Sequence, residues 1–246
     1  MENKLQSKHV IWFSMFVVVT IICVVMYFKH ANHVEEVRGL PTLATGAVEN
    51  SYNQIADMLD KITVSIYETK TSMLLGSGII MPNQQVLTNY HVVEQMTDIT
   101  VKVYSPVVTM YNANIILSDQ QNDIAVLQVS SNKTLRASIF GDSDSINVGD
   151  VVFSMGNSFG LGNAFTQGVV CNDNQCFLIN GQNYKNMIQI ERRVYPGASG
   201  GPLVNIKGEV IGMLTEISDP QGDFKGVGFA TPINSILDLL RSAGRL

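Results

Sequence analysis

The chain is 246 residues long, 46% hydrophobic and 15% charged, a composition that sustains a packed core and excludes global disorder. Its net charge is −5 at pH 7. No Lys/Arg run offers a phosphate-neutralising face, which argues against nucleic acid as a partner.

A short N-terminal stretch, residues 1–9, precedes an apolar run at residues 10–28 (VIWFSMFVVVTIICVVMYF) that carries no charge. As a helix it spans about 28 Å, close to the hydrocarbon thickness of a bilayer. Trp12 and Tyr27 suit the two interfacial belts, and Cys23 serves as apolar filler. The run is longer than a signal-peptide core and has no small-x-small exit, so the reading is an uncleaved transmembrane anchor rather than a cleaved signal. Lys4 and Lys8 precede it, and Lys29 is soon followed by Glu35 and Glu36. The positive-inside rule then places the N-terminus inside and the bulk of the chain outside.

Residues 29–53 lose periodicity and contain Gly39, Pro41 and Gly46, which reads as a linker. Ile55, Met58, Leu59 and Ile62 recur at helical spacing and predict a short amphipathic helix over 52–61. Short runs rich in Val, Ile, Leu and Thr then alternate with turn formers, at 63–67, 74–81, 86–88, 99–104, 112–117, 124–129 and 151–155. They continue at 164–171, 177–180, 187–191, 202–204, 210–215 and 226–230. Strands at this spacing predict an all-β barrel or pair of barrels. Pro232 and Asn234 open a final helical pattern through Ile236, Leu237, Leu239 and Leu240. Cys171 and Cys176 flank Asn-Asp-Asn-Gln, read as a hairpin tip. Two outcomes stand there, a disulfide across the hairpin in an oxidising compartment or two free thiols. Metal binding by two Cys without nearby His or further Cys is not expected.

Three stretches carry the chemistry. In Pro196-Gly197-Ala198-Ser199-Gly200-Gly201-Pro202 the glycines allow a tight turn in which the amides of Gly197 and Ser199 face one point, as an oxyanion hole requires. A Gly-rich turn that merely exposes a Ser is the bland alternative. His91 follows the 86–88 strand and is placed to leave a ring nitrogen in a cleft. Asp123 opens the apolar run Ile124–Val129. A buried carboxylate is costly unless paired, and an imidazole N–H is a natural partner. The remaining histidines, His9, His30 and His33, flank the apolar run.

Taken together and in order, these motifs resemble the HtrA/Deg family of chymotrypsin-like serine proteases. Gly76-Ser77-Gly78-Ile79-Ile80 and Leu87-Thr88-Asn89-Tyr90-His91-Val92-Val93 are similar to its GSGxII and LTNxHVV. Asp123 stands in DIAVLQV, and residues 156–162 (GNSFGLG), 165–170 (FTQGVV) and 226–232 (GVGFATP) match further family motifs. The resemblance covers about residues 55 to 241. It implies two six-stranded β-barrels, about 62–129 and 151–230, within a protease domain at 54–246, with a short C-terminal helix. It further implies a triad of His91, Asp123 and Ser199 in the cleft between barrels, protein or peptide substrates, and a homotrimer; the sequence gives no reason to invoke a metal or organic cofactor. By the same resemblance Arg193, Val194, Tyr195, Met213, Leu214 and Thr215 contact substrate.

Two departures stand out. Where the family carries QTDAAINPGNS, this chain reads Gln189-Ile190-Glu191-Arg192-Arg193-Val194-Tyr195-Pro196-Gly197-Ala198-Ser199. In that fold the stretch lines the pocket for the substrate residue before the scissile bond. A basic side chain pointing inward would favour acidic residues or close the pocket; otherwise both arginines face solvent or pair with Glu191. The sequence also stops at Leu246, where family members commonly continue into PDZ domains, so control by a partner, an oligomer or the domain's own loops is expected. The readings at this point are a membrane-anchored extracytoplasmic endopeptidase (periplasmic if the source is Gram-negative), a binding module of the same fold without turnover, and a processor of one specific partner.

Overall fold

The computed structural model of the protein describes residue 26 and residues 45–179, 182–192, 194–215, 217 and 226–245. The apolar run at 10–28 (Met26 apart), most of the linker and Arg193 lie outside them. Among the described residues no helix is long and apolar enough to cross a membrane.

Helix α1 (Thr45–Ile62) leads into β1 (Thr63–Glu68), β2 (Leu74–Met81), β3 (Gln85–Thr88), the one-turn helix α2 (Tyr90–Val93), β4 (Ile99–Val103), β5 (Thr109–Asp119) and β6 (Ile124–Val129). These six strands close an antiparallel barrel in the order β1-β2-β3-β6-β5-β4. A second closed barrel, in the order β10-β11-β12-β9-β8-β7, is built from β7 (Val151–Gly156), β8 (Ala164–Ile179), β9 (Gln182–Ile190), β10 (Pro202–Val204), β11 (Val210–Thr215) and β12 (Gly228–Pro232). Helix α3 (Ile233–Ser242) is the last described element. The expected pair of six-stranded barrels and the terminal helix are therefore present.

Period-2 alternation explains why several strands read as unbroken apolar runs. In β6, Ala125, Leu127 and Val129 point into the first barrel with Val64, Ile66, Ile80 and Val86. Ile124 and Val126 point the other way, into a separate cluster with Phe153, Met155 and Met213 of the second barrel. Ile55, Leu59 and Ile62 of α1 and Ile233, Ile236 and Leu240 of α3 bury their apolar faces in that same cluster. Phe153, with no exposed surface, stacks on Phe165 at 5.5 Å and meets Tyr52 edge-on at 4.9 Å. The second barrel has its own interior, with Val152, Ile188, Leu203, Leu214 and Ala230 among its members.

Two local expectations are corrected. Helix α1 begins at Thr45, inside the stretch assigned to the linker; beyond Gly46 that stretch holds no breaker, and the apolar spacing of 52–62 carries the helix back toward it. The segment 171–176 is not a hairpin tip. Strands read as 164–171 and 177–180 are one long β8, which stays paired with β9 through register shifts at Val170/Asn172, Asn172/Gln175 and Gln175/Phe177. Asn172 and Gln175 bond each other across that bulge at 3.0 Å. Their neighbours Cys171 and Cys176 are exposed free thiols. Along a strand, even a bulged one, five residues put the two Cα atoms roughly 13 Å apart, well beyond disulfide reach.

Candidate active site

The His91–Asp123 arrangement starts from two loops of the first barrel. Asn122 closes a turn by donating its amide to Asp119 Oδ1 at 3.0 Å and its side-chain nitrogen to Oδ2 at 2.8 Å. Asp123 then adopts a left-handed φ of 54°, a conformation Asp tolerates better than most residues. Its carboxylate lies beside the residues that follow β3. His91 N donates to Asp123 Oδ1 at 2.9 Å, and His91 Nδ1 lies 2.8 Å from Oδ2. A carboxylate can only accept, so Nδ1 carries the hydrogen and the lone pair of the neutral ring sits on Nε2. The His91 side chain is 41% exposed while that of Asp123 is 10% exposed, so the ring opens to solvent from a buried anchor.

Asn89 holds this pair from behind. It occupies the residue before α2 but makes no cap bond with its side chain, although Asn usually caps there. Its Nδ2 faces Asp123 Oδ2 at 3.1 Å, the Asp123 carbonyl at 3.2 Å and Thr215 Oγ1 at 3.1 Å. Asn89 Oδ1, buried, has no partner among the described residues. The orientation is still forced, because reversing the amide would aim its oxygen at two Asp123 oxygens. Thr215 belongs to β11 of the second barrel, so Asn89 ties the two barrels together at the acid.

The turn around Ser199 is shaped by close backbone approach. Gly200 has φ +85°, and a Cβ there would sit 2.1 Å from the Ser77 carbonyl oxygen and 2.4 Å from Thr88 Oγ1. At Gly197, φ +93°, a Cβ would lie 2.3 Å from the Asn157 carbonyl oxygen. Both positions therefore require glycine. Ser77 of β2 braces this turn: its amide donates to the Ser199 carbonyl at 2.8 Å, and its hydroxyl donates to the Gly197 carbonyl at 2.7 Å. The same hydroxyl accepts from the Asn157 amide at 3.0 Å. Neighbouring peptides are held by Ala198 N to Tyr195 O at 2.9 Å, Phe159 N to Pro196 O at 2.9 Å and Gly200 N to Leu214 O at 2.8 Å. In a trans peptide C=O and N–H point oppositely, so the Gly197 N–H is directed away from Phe159. Ser199 itself is 3% exposed. At Gly76 an added Cβ would meet Val92 at 2.8 Å and the Ser199 carbonyl at 3.0 Å, so α2, which carries His91, and the Ser199 turn converge on one point of β2.

Asn157 organises the loop beside the turn. Its Nδ2 lies 3.0 to 3.2 Å from Ser65 Oγ, Tyr67 Oη and Tyr104 Oη, and its Oδ1 accepts from Gly162 N at 2.7 Å. Burial pushes the Tyr104 phenol up to about 12, so it stays a neutral hydrogen-bonding group. Asp123 also lines a cavity of about 470 Å³ with Tyr184, Asn186 and Met187. Burial, then the Asp123 charge, push the Tyr184 phenol up. Among the described residues no three His, Cys, Asp or Glu side chains converge on one point.

Residues 76–213 match the family model of the trypsin-like peptidase domain. The chain belongs to that family. Within it the domain is of the HtrA/DegP type. It is 40% identical over 169 residues to the periplasmic serine endoprotease DegP of Escherichia coli K12, an alignment covering 68% of this chain and 35% of the relative. It is 38% identical over 168 residues to the magnetosome formation protease MamE of Paramagnetospirillum magneticum, covering 68% and 23%. The solved HtrA-type protease AlgW with tripeptide superposes with a TM-score of 0.68 at 33% identity, covering 78% of this chain and 62% of that one. The chain thus spans about a third or less of these curated relatives.

Within this HtrA-type domain His91 and Asp123 are brought together, and Gly197 and Ser199 share one braced turn. The residues expected to contact substrate separate. Tyr195 is half-exposed beside Phe159, ring centroids 5.3 Å apart. The side chains of Val194 and Leu214 are buried in the second barrel and that of Met213 in the inter-barrel cluster. The side chain of Thr215, 1% exposed, accepts from Asn89 Nδ2 at 3.1 Å. Arg192 neither faces solvent nor pairs with Glu191: its Nη1 donates to Ser154 Oγ in the wall of the second barrel. Sequence reasoning did not single out Ser77, Asn89 or Asn157 as site residues. The available signal was the recurrence of small polar residues inside apolar strand ends.

Proposed function

We propose that the chain is a serine endopeptidase in which Ser199 attacks a peptide carbonyl, His91 Nε2 takes the hydroxyl proton, and Asp123 holds the ring. The observation that carries this reading is the double clasp of His91 on Asp123, in which the ring nitrogen lies 2.8 Å from Oδ2 and 3.0 Å from Oδ1 and the backbone amide donates to Oδ1. That clasp fixes the tautomer in which Nε2 is basic, and the neighbouring carboxylate stabilises the imidazolium that forms. Collapse of the tetrahedral intermediate expels the amine as His91 returns the proton, leaving an acyl-Ser199 ester that water hydrolyses by the reverse sequence. The amides of Gly197 and Ser199 stabilise the oxyanion. The turn's rigidity, imposed by Ser77 and by the glycine-only contacts, supports that role.

Substrates on this reading are exposed or unfolded segments of other proteins, and quality control or stress signalling is the physiological setting. The relatives' names support a periplasmic or otherwise extracytoplasmic site. The uncharged run at 10–28 supports a single membrane anchor with the N-terminus inside, and the family resemblance supports a homotrimer. Incubating the full-length chain with a reduced, alkylated protein tests the reaction, with Ser199→Ala as control. Fragments from the parent chain alone are expected; equal digestion by both, or by neither, contradicts the proposal. Protease accessibility in intact cells tests the topology, and a protected C-terminal domain contradicts it.

A further inference from the structure

Arg192 stands out as a cation inside the second barrel's wall. Its guanidinium reaches Ser154 Oγ. Ser154 is 1% exposed and is itself bonded to Thr166 Oγ1 at 2.9 Å. No carboxylate among the described residues pairs with Arg192, and Glu191 beside it is exposed. Burial pulls the guanidinium down to about 10, partly offset by the Tyr195 phenol, so at neutral pH it remains a desolvated cation with hydrogen-bonding capacity to spare. Such a charge is costly unless an anion meets it.

The space it faces is a cavity of about 450 Å³ lined by Phe159, Leu161, Thr166, Arg192 and Tyr195, with the small residues between 158 and 164. Phe159 and Leu161 are 61% and 88% exposed, so the apolar side is open at its rim while the cationic side is deep. The cavity is joined directly to the Ser199 turn, since Phe159 N bonds Pro196 O and Ala198 N bonds Tyr195 O, both at 2.9 Å. A peptide lying across Ser199 therefore passes its mouth. An apolar rim over a single fixed cation suits a side chain with methylene carbons and a terminal carboxylate, because guanidinium and carboxylate match as a two-point fork.

We propose that Arg192 makes this cavity a specificity pocket for an acidic side chain of the substrate next to the scissile bond. The inference rests on the protease reading above, and its test is built to be independent of turnover. Full-length Ser199→Ala protein in neutral detergent is titrated into two fluorescent peptide amides, Ala-Ala-Pro-Glu and Ala-Ala-Pro-Gln, which differ only in the last side chain's charge. The glutamate peptide is expected to bind roughly tenfold more tightly or better, the size of a charge-assisted hydrogen bond. Adding Arg192→Gln, which keeps a donor for Ser154, should abolish the difference, and Arg192→Lys should retain part of it. Equal binding of the two peptides by the Ser199→Ala protein overturns the inference without any Arg192 variant having to fold. A preference that survives Arg192→Gln in a folded protein overturns the assignment to Arg192. Cut-site mapping with the active chain gives the second reading: acidic residues enriched beside the cleaved bond support the pocket, and cleavage without that enrichment overturns it while leaving the protease reading intact.

Discussion

Replacing Ser77 with alanine deletes one hydroxyl from a residue with no exposed surface and leaves its backbone bond to the Ser199 carbonyl in place. Two bonds disappear, to Gly197 O at 2.7 Å and from Asn157 N at 3.0 Å. Alanine is small enough to add no clash, so the loss is one of satisfied polar groups. A buried donor or acceptor left without a partner costs about 1–3 kcal/mol, and two of them give about 2–4 kcal/mol after partial relaxation. For a domain of this size each kcal/mol lowers Tm by about 2–4 °C, so a drop of roughly 5–15 °C is expected, read by urea unfolding and thermal melts. The chemical effect is separate. The Gly197 carbonyl is the handle by which the turn is held, and losing an oxyanion donor outright costs about 10²–10³ in rate. A loosened donor should cost less, roughly tenfold to a hundredfold in the second-order rate of fluorophosphonate labelling. Destabilisation below about 0.5 kcal/mol would refute the bracing role. Destabilisation with an unchanged labelling rate would show that Ser77 holds the fold but not the reacting groups.

Three further outcomes follow from the same geometry. Asp123→Asn keeps the shape but must turn an N–H towards one of the donors that both carboxylate oxygens now accept from, so activity should fall by about 10⁴ and stability by about 1–3 kcal/mol; a loss of activity under tenfold contradicts the clasp. Gly200→Ala places a Cβ 2.1 Å from the Ser77 carbonyl oxygen at a positive φ, and should cost more than about 3 kcal/mol or prevent folding; a normal urea midpoint contradicts the close approach. Cys171 and Cys176, exposed and free, should both react with a maleimide in the native protein without prior reduction, whereas a 171–176 disulfide in the mass map contradicts the long β8.

Most of the architecture is legible from local pattern because a barrel strand's needs are local. The runs at 74–81, 124–129, 202–204 and 210–215 match β2, β6, β10 and β11 residue for residue. Failures occur where tertiary pairing overrides a turn signal. Asn172-Asp173-Asn174-Gln175 carries turn chemistry, yet β9 keeps the segment in the sheet through bulges. The site divides in the same way. His91 and Asp123 announce themselves as residue types whose burial needs explaining, whereas Ser77 and Asn89 matter through partners 34 to 126 residues away, a separation no local pattern encodes. Met213 and Leu214 show the converse: near the site along the chain, they spend their side chains on two different cores because adjacent strand residues point to opposite faces. Arg192 was legible as an oddity, but its direction depended on Ser154, a buried hydroxyl 38 residues upstream.

The central claim is that Ser199 is a nucleophile activated by His91. The most direct measurement is the mass of the labelled peptide after the full-length chain reacts with a fluorophosphonate at neutral pH. A single adduct on Ser199, absent in Ser199→Ala and strongly reduced in Asp123→Asn, is the predicted result. A folded chain that takes no label, or takes it on another serine, would contradict the account.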